Sequence, residues 1–566
     1  MEGSKNTCSD KDTANNFNNF FVKIGSRLAS NIPDTGVNPL SYLKEPTPAS
    51  IFFVPVFEEE VIKIIKELKN SSPGWDSISA KIVKKTYMYI INPLTHICNL
   101  SISKGVFPWE LKIAKVIPLY KSDKPTVFSN YRPVSVLPCF SKIFEILVYN
   151  RLVDFIEKHN LLYKMQFGFR KHHSTIMALI TLVDKVSRAL ELGEYAIAIF
   201  LDFSKAFDTV NHDILYDKLQ SYGIRGIALD WIKDYLSNRQ QYVNVNGSCS
   251  EKQYIKCGVP QGSVLGPLLF LLYINDIVNV SPLLCPILFA DDTNALITGK
   301  NLDSMADALN VELSKITVWL NSNKLSLNVK KTHFMVFASK GKCCKLNNPI
   351  KIGTETIQQV GHTKFLGVII DNKLNWSCHM AHIKNKMSKG IGIICKARKN
   401  LNEETLTTLY YSFIYPYINY CIIAWGNTFK SYLDGVYKIQ KKAVRVITKS
   451  SYNAHSLPLF RKLHIMPLHD VYIYNVAIFM YKHYHNIMPP LFSDMFVENS
   501  SIHNYMTRQT NLYHQSVARL QVMNRSIRIQ GVKVWNIVFK VVDVQCTFPI
   551  FKRRLKICIR EQKNLM

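Results

Sequence analysis

Thirteen cysteines are scattered through this chain of 566 residues without one Cys-x-x-Cys pair, and Cys343-Cys344 is their only close couple. Zinc knuckles, zinc ribbons and dithiol redox motifs depend on such short spacings, so none is expected. A disulfide framework is excluded as well, and the thiols read as reduced groups of an intracellular protein. No secretory leader is expected, because Met1 to Phe20 is polar and rich in Asn. No apolar run is long enough to cross a bilayer: the most apolar region, Val264 to Ala290, is interrupted by Asn275, Asp276, Asn279 and prolines, which marks core helix and strand. Negative charge is scarce, with 41 Asp+Glu against 70 Lys+Arg and a net charge of +29. The imbalance is uneven. Lys373 to Met566 holds 28 Lys+Arg and 8 Asp+Glu, a surplus of 20, which leaves +9 for the first 372 residues. Such concentration implies a polyanion held mainly by the last third, and nucleic acid fits better than a membrane surface.

What the chain does have is apolar mass. Hydrophobic residues make up 47%, enough for a sizeable interior and too many for a disordered tail. The length suggests about three or four modules around a common core.

Acid is placed with care at two strand ends. In the stretch Pro286-Ile287-Leu288-Phe289-Ala290-Asp291-Asp292-Thr293-Asn294-Ala295-Leu296-Ile297, a strand runs into a tight turn carrying both aspartates and returns as a second strand. Consecutive side chains there point to different sides, so the two acids have different tasks. Like charges this close are costly unless a cation lies between them or one takes up a proton, which points to a divalent metal; an Asp-Asp surface turn is the plain alternative. Upstream, Ala196-Ile197-Ala198-Ile199-Phe200-Leu201 reads as a buried strand that ends on Asp202. Two such strands side by side can hold a pair of ions about 4 Å apart.

Asp202 with Phe207, then Gly258-Val259-Pro260-Gln261-Gly262-Ser263-Val264-Leu265-Gly266-Pro267, then Phe289-Ala290-Asp291-Asp292 follow one another in the order and spacing of reverse transcriptases. In closer detail the chain resembles the enzymes of non-LTR (LINE-type) retrotransposons, from about Val61 to its end and most specifically between Asn130 and Asp371. The resemblance implies an α+β right-hand polymerase with fingers, a palm whose antiparallel sheet is backed by helices, and a helical thumb. It implies RNA-directed DNA polymerase activity on an RNA template with a DNA primer and dNTPs, using two Mg²⁺ ions for which Mn²⁺ can substitute. Asp202 and Asp291 are then the metal ligands, with the Phe203 carbonyl as an extra ligand and Asp292 as electrostatic support. Arg170, in Gln166-Phe167-Gly168-Phe169-Arg170, is expected to be presented by a bent strand to the triphosphate. Phe207 closes the sugar pocket against a ribose 2′-hydroxyl, and Gln261 meets the nucleotide and template base. Lys331 matches the lysine that protonates departing pyrophosphate, and Phe365-Leu366-Gly367 the turn that grips the primer end. The glycines and proline before Leu265 are expected to leave a helix N-terminus bare for the nucleotide.

Domain expectations follow. Residues 1–50 read as a loosely ordered lead-in in which Phe17, Phe20 and Phe21 can dock as a short helix. Residues 51–115 form an N-terminal helical extension, 116–371 fingers and palm, and 372–450 a helical thumb with Lys438, Lys441, Lys442 and Arg445 on a binding helix. Residues 451–566 are a basic region of unknown role, where Lys552-Arg553-Arg554-Leu555-Lys556 suits either a nuclear signal or an RNA contact. Nuclear or cytoplasmic residence and no membrane partner are expected. Nothing resembles the apurinic-type endonuclease of full-length LINE-type proteins, so DNA nicking is not assigned. The rival readings are a decayed element product that only binds RNA, and a group II intron-type maturase.

Overall fold

A computed structural model describes residues 9–502 and 512–561. The first finding is a correction: the expected loose lead-in contains a 21-residue helix, α1 (Asp10–Ser30), started by the Ser9 side chain accepting from the Asp12 amide. Its Asn-rich composition hides an apolar face. Phe17 and Phe21 bury against Val116 and Val243 of two later strands, and that packing outweighs the weak helix propensity.

In chain order there follow α2 (Glu58–Glu67), α3 (Ala80–Lys104), β1 (Ile113–Tyr120), β2 (Tyr131–Val136), α4 (Cys139–Lys158), α5 (Thr175–Glu191), β3 (Tyr195–Leu201), α6 (His212–Ser221) and α7 (Ile227–Leu236). Next come β4 (Gln240–Val245), β5 (Ser248–Cys249), β6 (Gln253–Tyr254), α8 (Leu265–Ile274), β7 (Cys285–Phe289), β8 (Asp292–Gly299), α9 (Leu302–Ser322) and β9 (His333–Phe337). The short strands β10 (Lys351–Ile352), β11 (Glu355–Thr356) and β12 (Gln358–Gln359) precede the hairpin β13 (His362–Phe365) and β14 (Val368–Asp371). Thereafter the described chain is mostly helical: α10 (Ser377–Ala397), α11 (Glu403–Phe413), α12 (Tyr415–Asn419), α13 (Ile422–Trp425), α14 (Lys430–Ile447), α15 (Ser456–Lys462), α16 (Leu468–Tyr484), α17 (Gln521–Asn524), α18 (Ile527–Val541) and α19 (Phe548–Arg560). None of the described helices is long and apolar enough to cross a membrane.

Two larger sheets organise this mixed α+β fold. In the first, β1 lies between β2, antiparallel, and β4, parallel. The second has the order β12-β9-β3-β8-β7, antiparallel apart from the short β12 beside β9. Its middle strand β3 is buried on both faces, which is why it reads as a continuous apolar run. Ile197, Ile199 and Leu201 face a core shared with α2–α4 and α6–α9. Ala196, Ala198 and Phe200 face another, shared with α5 and the helices from α10 to α19. That second core runs through position 450 without a break: the buried Gln440 donates to the Tyr410 hydroxyl and the Met466 carbonyl, and accepts from the Leu468 amide.

Candidate active site

Strand register decides which acids meet. Leu201 of β3 pairs with Thr293 of β8, so Asp202, just past β3, lies next to Asp292, the residue before Thr293. The β7–β8 hairpin closes on the pair Phe289 and Asp292 around a two-residue turn, Ala290-Asp291, with Ala290 at φ 55°. Only Asp291 is therefore in the turn; Asp292 opens the returning strand. The two acids thus differ in backbone setting.

The turn is braced from behind by residues that sequence reasoning gave another purpose. The Gln166 side chain is buried, and its Oε1 accepts from the amides of Ala290 at 3.1 Å and Gly168 at 3.0 Å. The Phe167 amide donates to the Leu288 carbonyl at 2.8 Å, and the Leu288 amide to Met165 at 3.0 Å. At Gly168 a Cβ would overlap the Ala290 nitrogen. The Gln-Phe-Gly segment thus props the aspartate hairpin. A glycine between aromatics was the available signal, and only the fold shows which backbone it approaches.

Arg170 is held by an acid of its own. Its guanidinium forks onto Glu157 at 3.1 Å and donates to the Tyr163 carbonyl, and it lines a separate cavity with Glu157, His159 and Lys164. Glu157, at the end of α4, captures it. The cations that face the acids are Lys121 and Arg132, at the end of β1 and in β2; both are exposed and hold the Asp291 and Asp292 carboxyls down. Burial outweighs them at both groups. Burial, followed by Asp202, raises Asp291 above the ordinary carboxylate range, and burial with Asp291 and Asp202 pushes Asp292 up to about 6. Both side chains reach the surface, yet surrounding protein thins the solvent that would screen them.

Asp202, Asp292, Lys331, Lys364, Phe365, Leu366 and Gly367 line one open groove of about 270 Å³. Lys331 is exposed there, and its carbonyl receives His333 Nδ1. The β13–β14 turn uses Leu366 at φ 45° and Gly367 at φ 87°, and the Tyr420 hydroxyl donates to the Leu366 carbonyl at 2.6 Å. Phe203 is buried and bridges to Leu327.

Phe207 is half-buried, stacked on Phe270 with ring centres 4.3 Å apart and edge-on to Phe169. Gln261 donates from Nε2 to Asp208 at 2.8 Å, and its carbonyl accepts from the Ser135 amide. The bare helix N-terminus expected nearby is filled. Buried Glu145 accepts from the amides of Val264 at 2.6 Å and Leu265 at 3.2 Å, so α8 is capped from within. That acid lies more than a hundred residues upstream, out of reach of motif reasoning.

The hard oxygen donors of Asp202, Asp291 and Asp292 suit a divalent cation, which would relieve the crowding of like charge among them. Among the described residues no group of three or more His, Cys, Asp or Glu closes on a single ion, so any ion here draws further oxygens from elsewhere. On α14, Lys438 and Lys442 are exposed while Arg445 is spent on the Ala454 carbonyl. The basic run near the end lies on α19, with Arg554 paired to Asp543 and Lys556 over the Tyr474 ring.

Residues 121–370 match the family model for reverse transcriptase (RNA-dependent DNA polymerase). Over 447 residues the chain is 30% identical to a probable RNA-directed DNA polymerase from transposon BS of Drosophila melanogaster, covering 75% of this chain and 48% of that protein. It is 28% identical over 415 residues to its counterpart from transposon X-element of the same species, covering 72% and 45%. It is 29% identical over 442 residues to the RNA-directed DNA polymerase from mobile element jockey, again of Drosophila melanogaster, covering 76% and 48%. The chain spans about half the length of these curated relatives. Matched motifs, register-paired aspartates and these relatives together make the chain a member of the reverse transcriptase family, in the branch carried by non-LTR retrotransposons.

Proposed function

We propose that the chain is an RNA-directed DNA polymerase that extends a DNA primer on an RNA template. The observation that carries this reading is the pairing of β3 with β8, which brings Asp202 beside Asp291 and Asp292 at the lip of an open groove. In this reading the first sheet belongs to the fingers and the second to the palm, within residues 116–371. The helices of 372–450 serve as the thumb, and 451–566 form a basic buttress behind it. Asp202 and Asp291 would hold the divalent ions, Mg²⁺ by preference, with the Phe203 carbonyl as a further oxygen. Bound there, such ions acidify the primer 3′-hydroxyl and neutralise the departing pyrophosphate.

The chain's own residues do the rest. Lys121 and Arg132 take the triphosphate role first expected of Arg170, since both are exposed cations whose charge reaches Asp291 and Asp292. Phe207, fixed flat by Phe270, excludes a ribose 2′-hydroxyl, and Gln261 meets the incoming nucleotide. Lys331 delivers a proton to the leaving pyrophosphate oxygen, while Phe365-Leu366-Gly367 steadies the primer end. In an extension assay with RNA template, DNA primer, dNTPs and Mg²⁺, Asp291→Asn is expected to lose about 10²–10³-fold or more of the rate. Primer–template binding should stay within a few-fold of wild type. Retained extension by the variant sinks the metal assignment.

A further inference from the structure

The turn after β3 holds one more carboxylate, for which the polymerisation scheme has no use. Asp208 directly follows Phe207, and its Oδ1 accepts the Gln261 amide at 2.8 Å. Its Oδ2 is buried with no hydrogen-bond partner in the structure, and burial pushes the group up to about 6, against the lowering pull of Gln261 and Lys205. Leaving a carboxylate oxygen buried and unsatisfied is costly, so a position that keeps one invites a functional account.

The surroundings press on this residue from three sides. The Asp208 carbonyl is approached so closely by Gly25 of α1 that a Cβ there would overlap it, and at Gly258 a Cβ would sit 2.8 Å away. Cys257 donates its thiol to the same carbonyl at 3.5 Å, and His212 holds the Gly258 carbonyl at 2.8 Å. Asp208 and Gln261 share a small cavity of about 40 Å³ with Arg239, whose Nε and Nη2 are also buried without partners in the structure. An ionised carboxylate can only accept. It therefore selects the NH₂ end of the Gln261 amide and turns Oε1 the other way.

We infer that Asp208 is a positioning residue for nucleotide selection, holding the Gln261 carboxamide in one orientation so that its oxygen is presented to the nucleotide beside Phe207. Asp208 touches neither substrate nor metal in this account; it acts through Gln261. The inference rests on the reading of Gln261 as a nucleotide contact.

The test is a double-mutant cycle in primer extension, scored as kcat and as KM for dNTP. Gln261→Ala is expected to raise the dNTP KM about tenfold. Asp208→Leu should raise it by a similar factor with kcat within about threefold, and Asp208→Asn, which can still accept from Gln261 but no longer fixes it by charge, should raise it about threefold. In the Gln261→Ala background neither substitution at 208 should raise KM further. If a 208 variant imposes its full effect in that background, the positioning role is overturned and Asp208 merely supports the fold. If Gln261→Ala leaves KM unchanged, the nucleotide contact itself is wrong. The isosteric Asp208→Asn keeps the cycle readable should Asp208→Leu not fold, and thermal melting with primer–template binding identifies that case.

Discussion

At Asp292 a proton would compete with the charge of the proposed metal. A carboxyl raised from 3.8 to about 6 on folding takes up protons more readily in the folded chain. It adds stability that is complete below about 4 and is lost as the pH rises through about 6. Without metal, the melting temperature is expected to fall between pH 5 and 7.5, and Asp292→Asn to lessen the fall, although Asp208 and Asp470, also raised to about 6, keep part of it. At pH 7.5, Mg²⁺ should raise the wild-type melting temperature and that of Asp292→Asn less; equal shifts would mean the ion binds elsewhere. A second contrast separates two arginines. Arg132→Ala should raise the dNTP KM about tenfold, whereas Arg170→Ala should leave KM within about twofold, because its partner is Glu157. Steady-state kinetics on both variants decides between them. The three aspartates were legible because apolar strands end on them. The partner of Arg170 was not, since nothing local says that Glu157, thirteen residues upstream, takes its guanidinium.

At the scale of elements, the strand, turn and returning strand around Asp291 and Asp292 were readable, and so was the buried strand that became β3. What stayed hidden was every case in which one element is defined by another. A short docked helix at Phe17 and Phe21 was expected, but not its 21-residue length or its seat on Val116 and Val243. The N-terminus of α8 became an internal cap because Glu145 reaches it. The segment before Arg170 became a brace for the β7–β8 hairpin, and this has a measurable outcome. Gly168→Ala forces the Ala290 backbone aside, and a displacement of even about 1 Å at the acids is expected to lower kcat ten- to hundredfold. Primer–template affinity should hold. Wild-type kcat in that variant would show that the brace does not position the acids.

For the whole molecule, the informative feature is the second core, which joins β3, α5 and the helices up to α19. Arg528 forks onto Asp184 of α5 at 2.9 Å, and Arg519 reaches Glu191 at its end, so the last helices are tied back to the sheet that carries the acids. A chain cut after residue 450 would strip Gln440 and its apolar neighbours of their cover; it should aggregate or bind a hydrophobic dye, while the full chain stays monodisperse by light scattering. The charge excess of the last third showed in the sequence, but not that much of this region is interior packing. A different consequence follows from β1 lying parallel to β4, Ile113 against Gln240. On the ribosome, the first strand emerges long before its neighbour, and Phe17 waits for Val243, a separation of 226 residues. At about 5–20 residues per second this leaves aromatic side chains bare for about 10–45 s, so the nascent polypeptide is an expected client of chaperones before it can touch any template.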